Sequence, residues 1–470
     1  MSYNQTPHTA ETITSGVNER RFIEHLRLMF STKDTCLKEM MQNARRAGAS
    51  FARFDYDPAT RTLLVTDDGC GIADFKALVT VADSAWSEET MRSEEPFGIG
   101  FSSVSFAADS VLVESRGKKV EFSSEDLLHK RPIKVQTASF IGGTRISLRQ
   151  CKLEESRIKT ALDVFAKGFS LPVFWKGEEL PRPYAREHLQ TISTPVGLLH
   201  IPGICVKQSK GHFSSQCLVF CQGLPMSCST YDYDHRVIVH LDHHKFKPRM
   251  PDRDGLIDSK EAKEAIAVAV KEVWRVHLEA QKSAMPPQAF VDRYWKAAYS
   301  AGLKELMNDV PILPACELRI IDDTPTNEEN CSFYGINKTP VTQAQVESGE
   351  MVLCEDIEYE DSVDGFAKLM FAKALGYLFT SHRLHEDHWA QPFIKDLNQE
   401  KVRISGKVIA RDHFSGGFVS ADVRVFETLS VTLAGQRVIL DEPVSLGSHY
   451  SFRPSILAPK GSTYASGVLL

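Results

Sequence analysis

The chain has 470 residues, of which 42% are hydrophobic and 25% charged, and carries a formal net charge of -6 at pH 7. That balance belongs to an ordinary globular protein, and its acidic sum excludes a strongly basic nucleic-acid footprint, though not a local basic patch. Ten cysteines form no C-x-x-C pair, which argues against a zinc ribbon or a disulfide framework and for reduced thiols. The polar start, MSYNQTPHTAETITSGVNERR, lacks the apolar segment of a secretory signal, and no apolar run nears the ~20 residues of a membrane span. A cytoplasmic protein with no membrane partner is therefore expected.

In chain order, residues 19–30 place Phe22, Leu26 and Met29 on one helical face, and a second helix is predicted over about 35–47. Residues 51–56 and 62–66 alternate as strands, with the turn signal Asp57-Pro58 between them. DDGCGI then breaks the second strand, and DFKALVTVA reads as helix-like. The stretch Asp83 to Pro96 is polar and poorly periodic, as a mobile loop is. FGIGFSSVSF follows, then strands in VLVESR, KKVEF and TRISL.

Residues 153–168 read as a helix, followed by strand-like runs at 197–206, 215–223 and 236–242. A long helical pattern over 259–283 ends at Met285-Pro286-Pro287, a domain boundary by composition. QAFVDRYWKAAYSAGLKELM is predicted helical. Residues 322–361 are irregular and acidic, 362–381 form an apolar helix, and the last 70 residues are mostly strand-like. The domains expected are 1–150, 151–285 and 286–470.

Four short motifs fall in the first 150 residues. In LKEMMQNA, Glu39 and Asn43 are four apart and share a helix face. Asn43 can give its amide oxygen to Mg²⁺, and Glu39 can orient and deprotonate an attacking water. In DDGCGI, Asp67 at a strand end can accept a hydrogen bond from the amine of adenine, while Gly69 and Gly71 let the backbone come close. In FGIGFS, Gly98, Gly100 and Phe101 precede an apparent helix, an anion-binding arrangement. It is neither a Walker loop nor a dinucleotide fingerprint. In GGT, Thr144 opens a strand and can complete an adenine-facing network.

Together, in this order, the motifs resemble the GHKL superfamily: gyrase B subunits, ninety-kilodalton heat-shock chaperones, histidine kinases and MutL proteins. LKEMMQNARRAGAS with LLVTDDGCGI looks most like MutL, and PFGIGFSS with GGT-R-I-S-L more like the chaperones. The resemblance covers roughly residues 10–150. It implies an α+β chain beginning with a Bergerat-fold α/β sandwich, with helices on one face of a mixed, mostly antiparallel sheet. An α/β transducer domain and a strand-rich α+β C-terminal domain follow. It implies ATP and Mg²⁺ as ligands, with Glu39 as general base, Asn43 as metal ligand and Asp67 as adenine reader. Gly71, Gly98, Gly100 and Thr144 would line the nucleotide, under a lid at 83–96.

One residue departs from the pattern. Arg46 stands where chaperones and MutL usually carry Asp, and a reversed charge there can contact a phosphate, pair with an acid such as Asp68, or weaken binding. In the second domain, MPDRDGL resembles the chaperone segment that reaches the γ-phosphate. That assigns the sensor role to Arg253, with Lys245 or Lys247 as alternatives. The function expected is an ATP-gated clamp acting on a protein client, with ATP-dependent homodimerisation. The alternatives are a MutL- or topoisomerase-like ATPase acting on DNA, or an ATP-binding regulator with little turnover. HRLHEDH at 382–388, and His240, His243 and His244 beside Asp242, are dense in metal-ligating groups, but both read more simply as polar structure.

Overall fold

The computed structural model describes residues 21, 25, 34–80, 86, 88, 100–206, 213–226, 236–249, 253, 255–321, 334–357, 363–380, 384–416, 419–441 and 444–447. Among them the chain is mixed α+β, with eight α-helices and five sheets. It divides into two compact units, Met1–Lys207 with Ser214–Val270, and Gln208–Phe213 with Lys271–Leu470.

The first unit is organised on an eight-stranded sheet. Its strands are β1 (Ala52–Asp57), β2 (Thr62–Asp67), β3 (Ser110–Ser115), β4 (Lys118–Ser123), β5 (Gln136–Thr137), β6 (Thr144–Arg149), β7 (Val173–Trp175) and β8 (Glu178–Glu179), in the order β5-β4-β3-β6-β2-β1-β7-β8. Every pairing is antiparallel except β1 with β7. β2, β3 and β6 bury alternate residues, as the period of two requires when one face meets a core. Their inward residues Leu63, Val65, Val111, Val113, Ile146 and Leu148 share one core with Leu37, Met41, Val104, Ile158 and Leu162. Those five come from the helices Thr35–Arg46, Gly100–Phe106 and Glu155–Ala166. The β1–β2 turn forms where expected: the Asp57 carboxylate accepts from Ala59 N (3.0 Å) and the Thr60 hydroxyl (2.7 Å).

A second sheet in this unit contains β9 (Ile192–Thr194), β10 (Gly197–His200), β11 (Cys217–Cys221), β12 (Leu224–Pro225) and β13 (Val237–Leu241), in the order β12-β11-β13-β10-β9. β13, VIVHL, is buried along its whole length. The run predicted over 197–206 is thus much shorter as a strand. The described part of DFKALVTVA, 74–80, holds a 3-10 turn, Phe75–Leu78, capped by the Asp74 carboxylate.

In the second unit two predicted helices end early. The pattern running from 288 to Met307 breaks after Ser300, because Gly302 takes φ +66° and Leu303 N closes onto Ala298 O at 2.8 Å. The apolar pattern 362–381 gives the helix Val363–Ala374. Gly376 ends it at φ +65°, and the chain continues as a strand, Leu378–Thr380. Phe366, Leu369, Met370 and Phe371 are buried in a core with Phe379, Leu429 and Val431, so this is a core helix. The stretch read as irregular holds short strands, Tyr334–Ile336, Val341–Thr342 and Leu353–Cys354, and a helix, Gln343–Glu347, whose Thr342–Gln345 capping box fixes its start. The strand-rich end is a long hairpin, Arg403–Gly416 with Val419–Leu433.

His388, only 1% exposed, accepts from Ala390 N through Nδ1 (3.1 Å), and burial with His385 nearby pushes its imidazole down to about 4. The unfolded chain binds its proton near ~6.5, so folding favours the neutral ring. Stability is fully present above that value and is lost as the pH falls towards the folded value, by about 3 kcal/mol in all. Urea midpoints measured across pH 4–7 should slope in the wild type, and His388→Phe should flatten the slope. An unchanged slope in the variant contradicts this account.

Candidate functional site

The helix Thr35–Arg46 is almost wholly buried, polar residues included, and that is unusual for a helix carrying Lys, Glu and Gln. Several of these polar groups meet partners from other elements. Lys38 Nζ lies over the Phe165 ring (5.0 Å), Gln42 Nε2 donates to Gln222 O (2.8 Å), and the helix-preceding Asp34 is held by Arg157 Nε (3.0 Å). Glu39 faces Gly100, the first residue of its neighbouring helix. A β-carbon built at Gly100 would lie 2.2–2.4 Å from the Glu39 carboxylate atoms, so only glycine lets the two approach this closely.

Two guanidiniums flank that carboxylate. Arg46 Nη1 lies 3.9 Å from Oε1, and Arg253 Nε lies 3.9 Å from Oε2. Arg46 also donates to Asn43 Oδ1 (3.3 Å), and Asn43 stands one turn from Glu39. Arg253 is 4% exposed and donates from Nη1 to Gln222 Oε1 (3.0 Å). Burial lowers its pKa from the ordinary arginine value; the Glu39 carboxylate opposes that, and the Arg46 and Arg45 charges add to it. The carboxylate therefore sits within an excess of positive charge. Of the three basic residues considered as sensor, Arg253 is brought to Glu39, while Lys245 Nζ donates to Pro195 O (2.9 Å).

The second and fourth motifs meet across the β2–β6 ladder, where Asp67 pairs in register with Thr144. One Asp67 carboxylate oxygen accepts from Gly69 N (2.9 Å), and Thr144 donates to the carboxylate from both backbone and hydroxyl. Burial raises the Asp67 pKa, with the Asp68 charge adding to it and these hydrogen bonds opposing it. Gly71 takes φ +71°, and a β-carbon on it would lie 2.6 Å from Ser115 Oγ. A β-carbon on Gly143 would lie 1.8 Å from Asp67 O, so the loop and strand interlock through glycine alone. The Ser115 hydroxyl donates to Gly143 O (2.5 Å) and accepts from Ile72 N (2.9 Å). Cys70 N donates to Ala47 O (2.9 Å), which ties the Asp67 loop to the end of the Glu39 helix.

Arg46 does not stand at Asp68: that carboxylate is engaged by Ser50, through its N (2.7 Å) and its hydroxyl, while Arg46 lies between Glu39 and Asn43. Phe101 is half-buried and packs on the core. Gly98, nearly all of the loop 83–96 and most of the helix predicted at 19–30 lie outside the described residues. Ser115, Gln42 and Gln222 were not singled out by the sequence: Gln42 stands within LKEMMQNA, but Ser115 and Gln222 lie outside the four motifs.

In the histidine-rich segments, ligand atoms of Asp242, His243 and His244, and of His385, Glu386 and Asp387, lie within 4.8 Å of one another. His240 shares a hydrogen bond with Tyr184 O through Nε2 (2.8 Å) and stacks on Phe220 with ring centroids 5.1 Å apart. His385 Nδ1 faces Asn308 Nδ2 (3.0 Å), while His382 lies outside the described residues. Among the described residues no disulfide forms, and no helix is long and apolar enough to cross a membrane. No protein-family model matches the chain, and no curated protein matches it.

Proposed function

We propose that the first unit is a Bergerat-type ATP site of the GHKL class, and that the chain is a Mg²⁺-dependent ATPase working as an ATP-gated clamp on a protein partner. One observation carries this reading. Residues from four separate places in the sequence gather as an acceptor carboxylate with glycine-only neighbours (Asp67, Gly71, Gly143, Thr144) and a second carboxylate set in excess positive charge (Glu39, Arg46, Arg253). The first set suits an adenine amine, and the second suits a triphosphate beside a base.

The chemistry follows from these groups. Asp67 accepts the adenine amine with an oxygen left over from its bonds to Gly69 and Thr144. Asn43 would hold Mg²⁺ through its amide oxygen, with Arg46, which now donates to that oxygen, meeting a phosphate oxygen instead. A bound Mg²⁺ would supply neutralisation of phosphate charge. Glu39 takes the proton of the attacking water, and Arg253 stabilises charge on the phosphoryl group in flight. Because Arg253 follows the second sheet in sequence, ATP favours the state in which that lobe closes on the phosphates, and the bound state differs in free energy from the empty one.

The test is ATP binding by calorimetry, with Asp67→Asn alongside the wild type. Asn keeps the size but offers one acceptor oxygen where Gly69, Thr144 and adenine need two. Affinity should fall by about 10- to 100-fold, the worth of one hydrogen bond to a charged group. Wild-type affinity should also decline on acidification, starting at a higher pH than for an ordinary aspartate, since Asp67 must be ionised to accept and burial raises its pKa. Stability runs the other way: the folded state holds that proton more tightly than the unfolded chain, so stability falls as the pH rises through the same interval, and Asp67→Asn removes the loss. No ATP binding by the wild type sinks the proposal.

A further inference from the structure

Gln222 and Gly223 form the two-residue turn between β11 and β12, with Cys221 paired to Leu224 across it. Both hold positive φ, 52° and 80°. Turns of this hand favour Asn or Gly at the first position, so a longer side chain there works against the backbone. Gln222 is nevertheless used twice. Its Oε1 accepts from Arg253 Nη1 (3.0 Å), and its backbone oxygen accepts from Gln42 Nε2 (2.8 Å).

Gln42 is fully buried, and its Oε1 in turn accepts from Arg45 Nε (2.9 Å), so both ends of its amide are fixed. It lies three residues after Glu39 on the same helix. The groups therefore close a circuit: Glu39, the helix, Gln42, Gln222, Arg253, and back to Glu39 at 3.9 Å. The Arg253 backbone is pinned as well, at φ +54°, with its N donating to Arg249 O (2.9 Å) and Arg249 N donating to Gly255 O (2.7 Å). What remains free on an arginine with a pinned backbone is the torsion of its long side chain, and the Gln222 amide restrains that. A neutral acceptor orients a guanidinium without cancelling its charge, whereas a carboxylate in the same place would compete with phosphate.

We propose that Gln222 is a positioning residue that holds the Arg253 guanidinium against Glu39, with Gln42 as its anchor on the Glu39 helix. This rests on the reading of Glu39 and Arg253 as base and phosphate sensor. The discriminating variant is Gln222→Asn. Asn suits the left-handed turn better than Gln, so the fold is not weakened there, but it is one methylene too short to reach Arg253. Steady-state turnover should show kcat reduced by about 10-fold with KM for ATP little changed, the signature of a contact that acts in the transition state. Arg253→Ala should lose more, and adding Gln222→Asn to it should lose nothing further.

Wild-type kcat in Gln222→Asn, or losses that multiply in the double variant, overturns the inference and leaves the role of Arg253 intact. Undiminished turnover in Arg253→Ala overturns the sensor assignment and this inference with it. Urea unfolding of the same four proteins reads the Gln222–Arg253 contact without ATP: non-additive midpoints support it, and strictly additive ones overturn it even in a chain that does not turn over.

Discussion

Glu39→Gln should cut ATP turnover by about 10²- to 10⁴-fold, the usual contribution of a general base, while ATP binds at least as tightly as to the wild type. The second half of this expectation is specific to the electrostatics of the site. Glu39 is the carboxylate that stands 3.9 Å from both Arg46 and Arg253, and both guanidiniums are nearly wholly buried. Replacing it by a neutral amide leaves the two positive charges without that neighbour. Such removal of one partner from a buried ion pair destabilises the ligand-free protein, because a buried charge loses its compensation. A triphosphate supplies that compensation. The rise in melting temperature caused by ATP should therefore be larger in Glu39→Gln than in the wild type, although turnover is nearly gone. If ATP affinity instead drops along with kcat, Glu39 contributes to binding the nucleotide rather than to activating water.

The same cluster explains how Arg46 fits a site whose resemblance leads one to expect an acid. From sequence, a reversed charge there threatened nucleotide affinity. In the structure Arg46 lies 3.9 Å from the Glu39 carboxylate and donates to the oxygen of Asn43, and under the proposed function its positive charge would meet phosphate oxygens. That makes the substitution compatible with binding. It also places a second cation beside Glu39, on the side of the carboxylate away from Arg253.

Much of this site was legible because its residues occupy short local patterns. Glu39 and Asn43 declare a shared face by their spacing of four, and Asp67 with its glycines declares a turn after a strand. β1 to β4 and β6 were equally legible, since each alternates against a one-sided core. What the sequence could not show are contacts between distant segments. Gln42 reads as one more polar residue on a helix, yet it is fully buried because Gln222, 180 positions away, accepts its hydrogen bond. Ser115 reads as the end of a strand, yet it joins Gly143 to Ile72. The helices overrun at Gly302 and Gly376 for a different reason: apolar periodicity continued past a glycine whose left-handed backbone ends the helix whatever follows. The short strands of the second unit pair over two or three residues, too few for any period to emerge.

Gly100→Ala tests the approach of the two helices directly, and the argument turns on two effects of opposite sign. Alanine is favoured over glycine inside a helix by up to about 1 kcal/mol, so the helix Gly100–Phe106 gains if anything. The added methyl, however, would lie 2.2–2.4 Å from the Glu39 carboxylate, where ordinary contact needs well over 3 Å. Glu39 must move by roughly 1 Å, and a displacement of that size at a reacting group can cost on the order of 10²-fold in rate. It has little room to move without leaving Arg46 and Arg253, between which it is held. The expected result is a stability within about 1 kcal/mol of the wild type, ATP affinity largely kept, and kcat reduced by about 10²-fold. Gly100→Ala with full turnover would show that the carboxylate tolerates displacement, and that would falsify the assignment of Glu39 as the positioned base. A variant with lost turnover and lost folding would instead show that the two helices part rather than the side chain. The urea midpoint separates these outcomes.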